Sequence, residues 1–268
     1  MTHNAPAPAP APGRSPVQVM LMNFLLKFRF ATTPQLARLD HQRYGSRGSA
    51  LRQTTRHLAS LETAGLVLRL ERRVGGWPGG SGPAVWALTT SGYHQITGTT
   101  GARQRPRLLS TTFLEHLLAV TETRVIVAET VREIDGASVH VEHEPECWRT
   151  YLGLHGQRLT LRPDLRLEIT TQEFRDSYFL EVDRATENPA RVIAKCRQYQ
   201  RYRRTGQEQQ RAGAFPAVLW IVPHTKRRDQ LNQHIRQAEL TSGMFHVRTL
   251  DELPTILRDG PPTSTTHP

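Results

Sequence analysis

Cysteine is nearly missing from this chain, with Cys147 and Cys196 as its whole complement. Two thiols cannot build a disulfide framework or a zinc site of the CxxC type, and a reducing cytoplasm is the expected compartment. Long apolar runs are missing too. None approaches the roughly 18 residues of a membrane span, so no membrane association is expected. The opening "MTHNAPAPAPAPGRSP" has neither the basic start nor the apolar stretch of a secretory signal. Acidic residues are scarce over one part of the chain only. Residues 1–110 hold 14 Lys and Arg against Asp40, Glu62 and Glu71, whereas residues 111–268 hold 21 of each sign, so the formal charge of +11 belongs to the first part. A basic segment joined to a neutral one points to a polyanion-binding module attached to something else.

Several catalytic signatures are lacking as well. The glycine-rich "VGGWPGGSG" has no Lys-Ser/Thr after its glycines and no helix behind them, which excludes a phosphate-cradling loop. There is no GxSxG nucleophile elbow. Tyr199 and Tyr202 in "YQRY" are spaced like paired nucleophilic tyrosines, but no His-apolar-His metal motif accompanies them. Tyr199 therefore reads as packing or a phosphate contact. His140 and His143 in "HVEH" would point to opposite faces of a strand, which argues against a metal site there.

What is present in the basic part is an ordered set of elements. "PVQVMLMNFLLKFRF" places Val17, Met20, Leu21, Phe24, Leu25 and Phe28 at helical spacing. "TTPQLARL" predicts a short second helix with Thr33 as N-cap and Pro34 at the first helical position. A third helix is expected over "ALRQTTRHLASLETAGLV", with Leu51, Leu58 and Leu61 inward, Arg52, Arg56 and His57 outward, and Gly65 as its stop. Two strand-like runs, "LVLRLERR" and "AVWALTTSG", flank the glycine-rich tip with Trp77. Helix, helix, helix, hairpin is the winged-helix order, in which the third helix enters the major groove of double-stranded DNA and the wing touches the backbone. Arg47, Arg52, Arg56, Arg69, Arg72 and Arg73 are the candidate DNA contacts, as cations that neutralise phosphates.

Past the basic connector "TGARQRPR", a long helical run covers 108–134, with Glu115 on it as an acidic candidate. Strands are expected over "ASVHVEHE", "TLRPDLRLEIT" and "SYFLEVD". A helix then opens at Asn188-Pro189, followed by a buried strand "AVLWIVP", a basic helix near "TKRRDQLNQHIRQAEL" and a last strand "MFHVRTL". The fold class is α/β. Strand alternation sets Glu181 and Asp183 on one face. Arg191, Lys195 and Tyr199, spaced i, i+4, i+8, make one stripe of the following helix that would face those acids.

That order and those motifs resemble the PD-(D/E)xK nuclease superfamily over roughly residues 111–222. The resemblance implies a restriction-endonuclease-like core in which Asp164, Glu181 and Asp183 hold a divalent cation, Mg2+ or Mn2+. The superfamily's lysine position is occupied by Asp183, and Lys195, displaced to the helix, would take over the orientation of the attacking water. More of the chain resembles the replication-relaxation family of plasmids and mobile elements, through "LETAGLVLRL", "WALTTSG", "RPDLRLEI", "YFLEVDRATE", "AKCRQYQRY" and "FPAVLWIVP". That resemblance implies a DNA-binding protein connected with plasmid replication and relaxation of supercoiled DNA. A metal-dependent nickase or endonuclease would account for relaxation. The alternative is a non-catalytic replication or relaxosome accessory factor, or a winged-helix transcriptional regulator, with a degenerate nuclease fold used for dimerisation or partner binding. The expected organisation is a disordered tail at 1–15, a winged helix at 16–100, a linker at 101–110, the nuclease-like domain at 111–255 and a tail at 256–268. Expected partners are plasmid or mobile-element DNA, a second copy of the chain, and replication or relaxosome proteins.

Overall fold

A computed structural model describes residues 13–70, 82–99 and 110–260. The chain is α/β and divides into two compact units, 1–121 and 122–268. The tip with Trp77, Arg72 and Arg73, the linker 101–109 and most of both tails lie outside the described residues.

In the first unit, α1 (Pro16–Phe28) starts at Ser15, whose hydroxyl and the Gln18 side chain form a reciprocal capping box. Strand β1 (Ala31–Thr32) leads into α2 (Thr33–Arg38), whose cap is Thr32 rather than Thr33, again closed by a glutamine three residues on, Gln35. Thr33 is already helical, and its hydroxyl accepts the indole N–H of Trp86 at 2.9 Å. Helix α3 (Arg47–Thr63) buries Ala50, Thr54, Leu58 and Leu61. Leu51, expected inward, is 41% exposed. The buried stripe runs i, i+4, i+8, i+11 from Ala50, and Leu51 sits about 100° around the helix from that start. Strands β2 (Val67–Leu70) and β3 (Val85–Leu88) pair antiparallel, and β1 joins the other edge of β3. A short helix, α4 (Thr90–Thr97), follows, its first three residues taken from the end of the run "AVWALTTSG" expected as strand.

Two segments far apart in sequence meet at the start of α4. The Thr89 hydroxyl donates to the carbonyl of Gly65 at 2.6 Å, and the Thr89 N–H to that of Leu66 at 3.0 Å. The same hydroxyl accepts the Gly92 N–H at 3.0 Å, so one threonine caps the helix and ties it to the α3–β2 turn. The approach leaves no room for a side chain on Gly92, where a Cβ would lie 2.0 Å from the Leu66 carbonyl oxygen.

The first three turns of α5 (Thr111–Arg132) belong to this unit. Leu114, Leu117 and Leu118 pack with Phe30, Val85 and Ala87, the Gln35 amide donates to the Leu118 carbonyl at 3.0 Å, and the Thr121 hydroxyl donates to that of Phe30 at 2.9 Å. The division between units thus falls inside the helix rather than at residue 110.

The second unit holds a five-stranded sheet in which residues 245–249, 217–222, 175–182, 165–170 and 138–143 lie side by side in that order. Its strands are β4 (Ser138–His143), β7 (Leu165–Thr170), β8 (Arg175–Val182), β9 (Ala217–Val222) and β10 (Phe245–Thr249). β4, β7 and β8 run as an antiparallel meander, whereas β8, β9 and β10 are parallel, with α6 (Pro189–Arg204) and α8 (Thr225–Gln237) in the crossovers. Short α7 (Gln207–Ala212) extends the first crossover. The expected strand "TLRPDLRLEIT" is two strands broken at Arg162-Pro163-Asp164: its first part is β6 (Arg158–Leu161), paired with β5 (Arg149–Leu152) in a separate hairpin. Residues 256–259, expected in the tail, continue α9 (Leu253–Asp259), with Ile256 and Leu257 buried.

β8 is the middle strand, and both its faces are covered. Phe179 lies near Tyr199 of α6 within one buried cluster that also holds Val192 and Cys196 of α6, Val218, Trp220 and Val222 of β9 and Leu231 of α8. On the opposite face the Tyr178 hydroxyl reaches the Ile256 carbonyl of α9 at 3.4 Å. Gly92→Ala tests the tightest contact of the first unit. Because the obstruction is backbone, we expect a loss of about 3 kcal/mol, read as a lower denaturant midpoint for the first unit with the far-UV spectrum kept.

Candidate functional site

β8 alternates, so Phe179, Glu181 and then Asp183 face the α6–α8 layer. Helix α6 is started by the Asn188 side chain, which accepts the Ala190 N–H at 2.9 Å, with Pro189 in the first turn. That start sets the phase of the helix over the strand. Lys195 and Tyr199, one turn apart, both reach Glu181: the Tyr199 hydroxyl donates to Oε1 at 2.5 Å, and the Lys195 ammonium donates to Oε2 in a short ion pair. Arg191, expected in the same stripe, is exposed.

Asp164 sits at the break between β6 and β7, opposite Glu181. Its backbone N–H donates to the Leu180 carbonyl at 3.1 Å, and its Oδ2 accepts the Val182 N–H at 2.7 Å. Its charge is felt by both Glu181 and Lys195. The structure therefore brings Asp164, Glu181 and Lys195 together. Asp183 has a different partner: Oδ2 accepts from Nε of Arg227 at 2.6 Å and Oδ1 from the Ala185 N–H at 3.2 Å. Arg227 also donates to the Glu187 carbonyl at 2.7 Å and to Gln230 at 2.9 Å, so its guanidinium is tied on three sides.

Burial raises the Glu181 carboxyl to about 7, with the Asp164 charge adding to the effect and the Lys195 ammonium opposing it. Burial alone would lower Lys195, but the Glu181 and Asp164 charges outweigh it and hold the ammonium above its ordinary value. Tyr199, fully buried beside Glu181, is pushed well above the usual phenol range. It is a fixed hydrogen-bond donor to the carboxylate. Its burial removes the phosphate-contact reading.

Magnesium takes one or two protein carboxylates and completes its shell with water and phosphate oxygens. Asp164 and Glu181 supply donors of that kind, with a lysine beside them. Both Glu181 oxygens already accept, from Tyr199 and Lys195, so the pair fits such an ion with Lys195 drawn away from Oε2. Asp183 does not, because its carboxylate is filled by the Arg227 guanidinium. Among the described residues no group of three His, Cys, Asp or Glu side chains is placed to hold a metal. Glu115 belongs to the first unit.

Of the candidate DNA contacts, Arg47, Arg52 and Arg56 are exposed on α3, interspersed with Leu51 and Thr55, and Arg69 is exposed on β2. Arg72 and Arg73 fall outside the described residues. Sequence reasoning missed Arg227. It lies 44 residues from Asp183, in a basic run "TKRR" whose members look alike, and no local signal separates it from its neighbours.

The family described as replication-relaxation matches residues 22–218, and the chain belongs to it. That membership suggests a role in the replication of plasmids or mobile elements. No curated protein matches the chain. Among the described residues no helix is long and apolar enough to cross a membrane.

Two measurements follow from this geometry. Arg227→Met strands a buried carboxylate, so we expect destabilisation of about 3–5 kcal/mol in denaturant titration, relieved when Asp183→Asn is added. The second concerns Glu181, which ionises near 7 in the folded chain and near 4.5 when exposed. Between those values the unfolded chain has lost the proton that the folded chain keeps. Glu181 thus makes stability fall as pH rises from about 4.5 to about 7, by a total on the order of 3 kcal/mol, with no further change above. Glu181→Gln should remove that slope from unfolding midpoints taken across the window. An unchanged slope would show that another group titrates.

Proposed function

We propose that this protein binds double-stranded DNA of a plasmid or mobile element through its basic first unit and cuts one strand with the Asp164–Glu181–Lys195 centre of its second. The observation that carries the cleavage reading is the arrival of Lys195, from α6, at the carboxylate of Glu181 on β8, with Asp164 alongside. A displaced lysine replacing the one lost at Asp183 would have to arrive there, at a carboxylate whose burial also calls for a paired cation.

The binding reading rests on charge and exposure. The excess of bases lies in residues 1–110, and α3 presents Arg52 and Arg56 on the side opposite its buried stripe, with Arg47 exposed at its first residue. As a winged-helix module the unit would lay α3 in the major groove and set phosphate contacts with Arg69 and the basic residues after it. In the nuclease-like unit, Asp164 and Glu181 would hold Mg2+ or Mn2+. Bound there, the ion would offset the charge of the phosphodiester and of the developing leaving group. The chain's own groups do the rest. The Val182 N–H fixes the rotamer of Asp164, Tyr199 fixes that of Glu181, and Lys195 supplies a mobile cation that can leave Glu181 for a water or a phosphate oxygen.

Incubation of purified protein with supercoiled plasmid, with and without magnesium or manganese, tests this. The expected outcome is metal-dependent open-circular product that falls at least a hundredfold in Asp164→Ala and Lys195→Ala, while both variants still shift the plasmid in a gel. Shifted plasmid with no product under any metal would replace the cleavage reading with that of a non-catalytic replication or relaxosome factor. Metal-independent binding confined to one sequence would make it a regulator.

A further inference from the structure

Between β4 and β7 the chain leaves the sheet and returns through the β5–β6 hairpin, an insertion the sheet itself does not need. Its inner side is firmly anchored. Arg149, at the start of β5, donates to Glu142 of β4 at 2.6 Å and to Glu208 of α7 at 2.9 Å, and Arg166 of β7 donates to the same two carboxylates at 3.2 Å each. The Tyr202 hydroxyl adds a bond to Glu208 at 2.7 Å, and Tyr151 packs on the Tyr202 ring. All four charged groups of this set are buried. Burying ions is expensive, and such networks fix orientation more than they add stability. The hairpin is thus held in one attitude.

Its outer side is left bare. The cross-strand pair Leu152 and Arg158 faces outward, with Leu152 66% exposed, and Leu154 at the tip is 96% exposed. The backbone on either side of Leu154 is hydrogen-bonded. The tip is closed by Gly153 N–H to the Gln157 carbonyl at 2.8 Å, Gly156 N–H to the Gly153 carbonyl at 3.0 Å, and His155 N–H to the Gln157 side chain at 3.0 Å. At the base, the Arg162 guanidinium lies over the Trp148 ring, 4.5 Å from its centroid. Between Glu146 and Asp164, over residues 147–163, the sequence contains no acid. Two residues after β6 ends at Leu161, the strand delivers Pro163-Asp164.

We propose that this hairpin is a second nucleic-acid contact, a finger that sets Arg158 and Arg162 against phosphates and wedges Leu152 and Leu154 against the bases of the duplex being cut. Exposed apolar side chains beside arginines are one means by which proteins enter a groove and part a base step. Glu144 and Glu146 are exposed at the base of the hairpin, but its two strands and tip carry bases and no acid, a charge that matches a polyanion. The inference rests on the DNA-binding reading above, and it deepens that reading by adding a contact on the second unit, in sequence next to Asp164.

The test uses the full chain and a fluorescein-labelled mixed-sequence duplex, with anisotropy titrations over a salt series. Arg158→Ala should weaken binding several-fold and reduce the slope of log K against log salt by about one. Leu152→Ser combined with Leu154→Ser should weaken binding by a similar factor and leave the slope alone. Both changes are at exposed positions, and an unchanged circular-dichroism melt would establish that the fold persists. Wild-type binding matched in affinity and slope by both variants would overturn the finger while leaving the DNA reading intact. So would unchanged binding with self-association, seen in sedimentation of the wild type, that the leucine variant loses. A wild type that fails to bind the duplex at low salt would overturn both readings together.

Discussion

A carboxylate buried on the central strand of a sheet constrains everything built around it. Glu181 is 2% exposed, on a strand covered on both faces, and an unpaired charge there would be costly. Its donors, Tyr199 and Lys195, come from one helix one turn apart, so the start of α6 must be set to within a residue. Asn188 and Pro189 set it. Asp183 imposes the same condition on α8 through Arg227. The two crossover helices are thus positioned by the acids at the end of one strand as much as by the apolar packing beneath them, and a shift of either helix would leave a buried charge without its partner.

The unit contains a second charged cluster, and the contrast between the two bears on function. Around Glu142 and Glu208, every partner cation is an arginine, and planar forks satisfy several acceptor positions at once. Such a cluster is built to stay as it is. At Glu181 the cation is a lysine, a single point charge on a flexible stem, 29% exposed, that can change partner without breaking a fork. Rigidity surrounds the hairpin, and adjustability is confined to the place where chemistry would need it.

Much of this could be read in the residues. Alternation in "SYFLEVD" put Glu181 and Asp183 on one face, and the i, i+4 spacing of Lys195 and Tyr199 aimed both at that face, because these periodicities are properties of the backbone. Other features depend on tertiary context that no local pattern encodes. The engagement of Asp183 by Arg227 joins residues 44 apart. Leu51 looked like core because it is leucine, yet Ala50 and Thr54 fill that side of α3. The β5–β6 hairpin was hidden because its strands are only four residues each and its apolar residues are divided between an inner face and a bare tip. Pro163 broke what read as one strand, since its missing N–H cannot serve a sheet ladder. The cap at Thr32 went one residue astray because Thr-Thr-Pro offers two hydroxyls in succession, and Gln35 decides between them.

Helix α5 bears on how the protein can be dissected. Composition suggests a cut near residue 110, where basic sequence gives way to neutral, and a piece starting at 111 would look tidy on paper. It would carry away Leu114, Leu117 and Leu118, along with the Leu118 carbonyl that receives Gln35 and the Thr121 hydroxyl that reaches Phe30. The first piece would be left with an open apolar floor beneath β3, and the second with three turns of helix displaying the leucines torn from it. Both would tend to aggregate for a reason unrelated to either activity. Separately produced halves will test the proposed binding and cleavage only if the break is placed after Thr121 for the first, and the leading turns are resurfaced for the second.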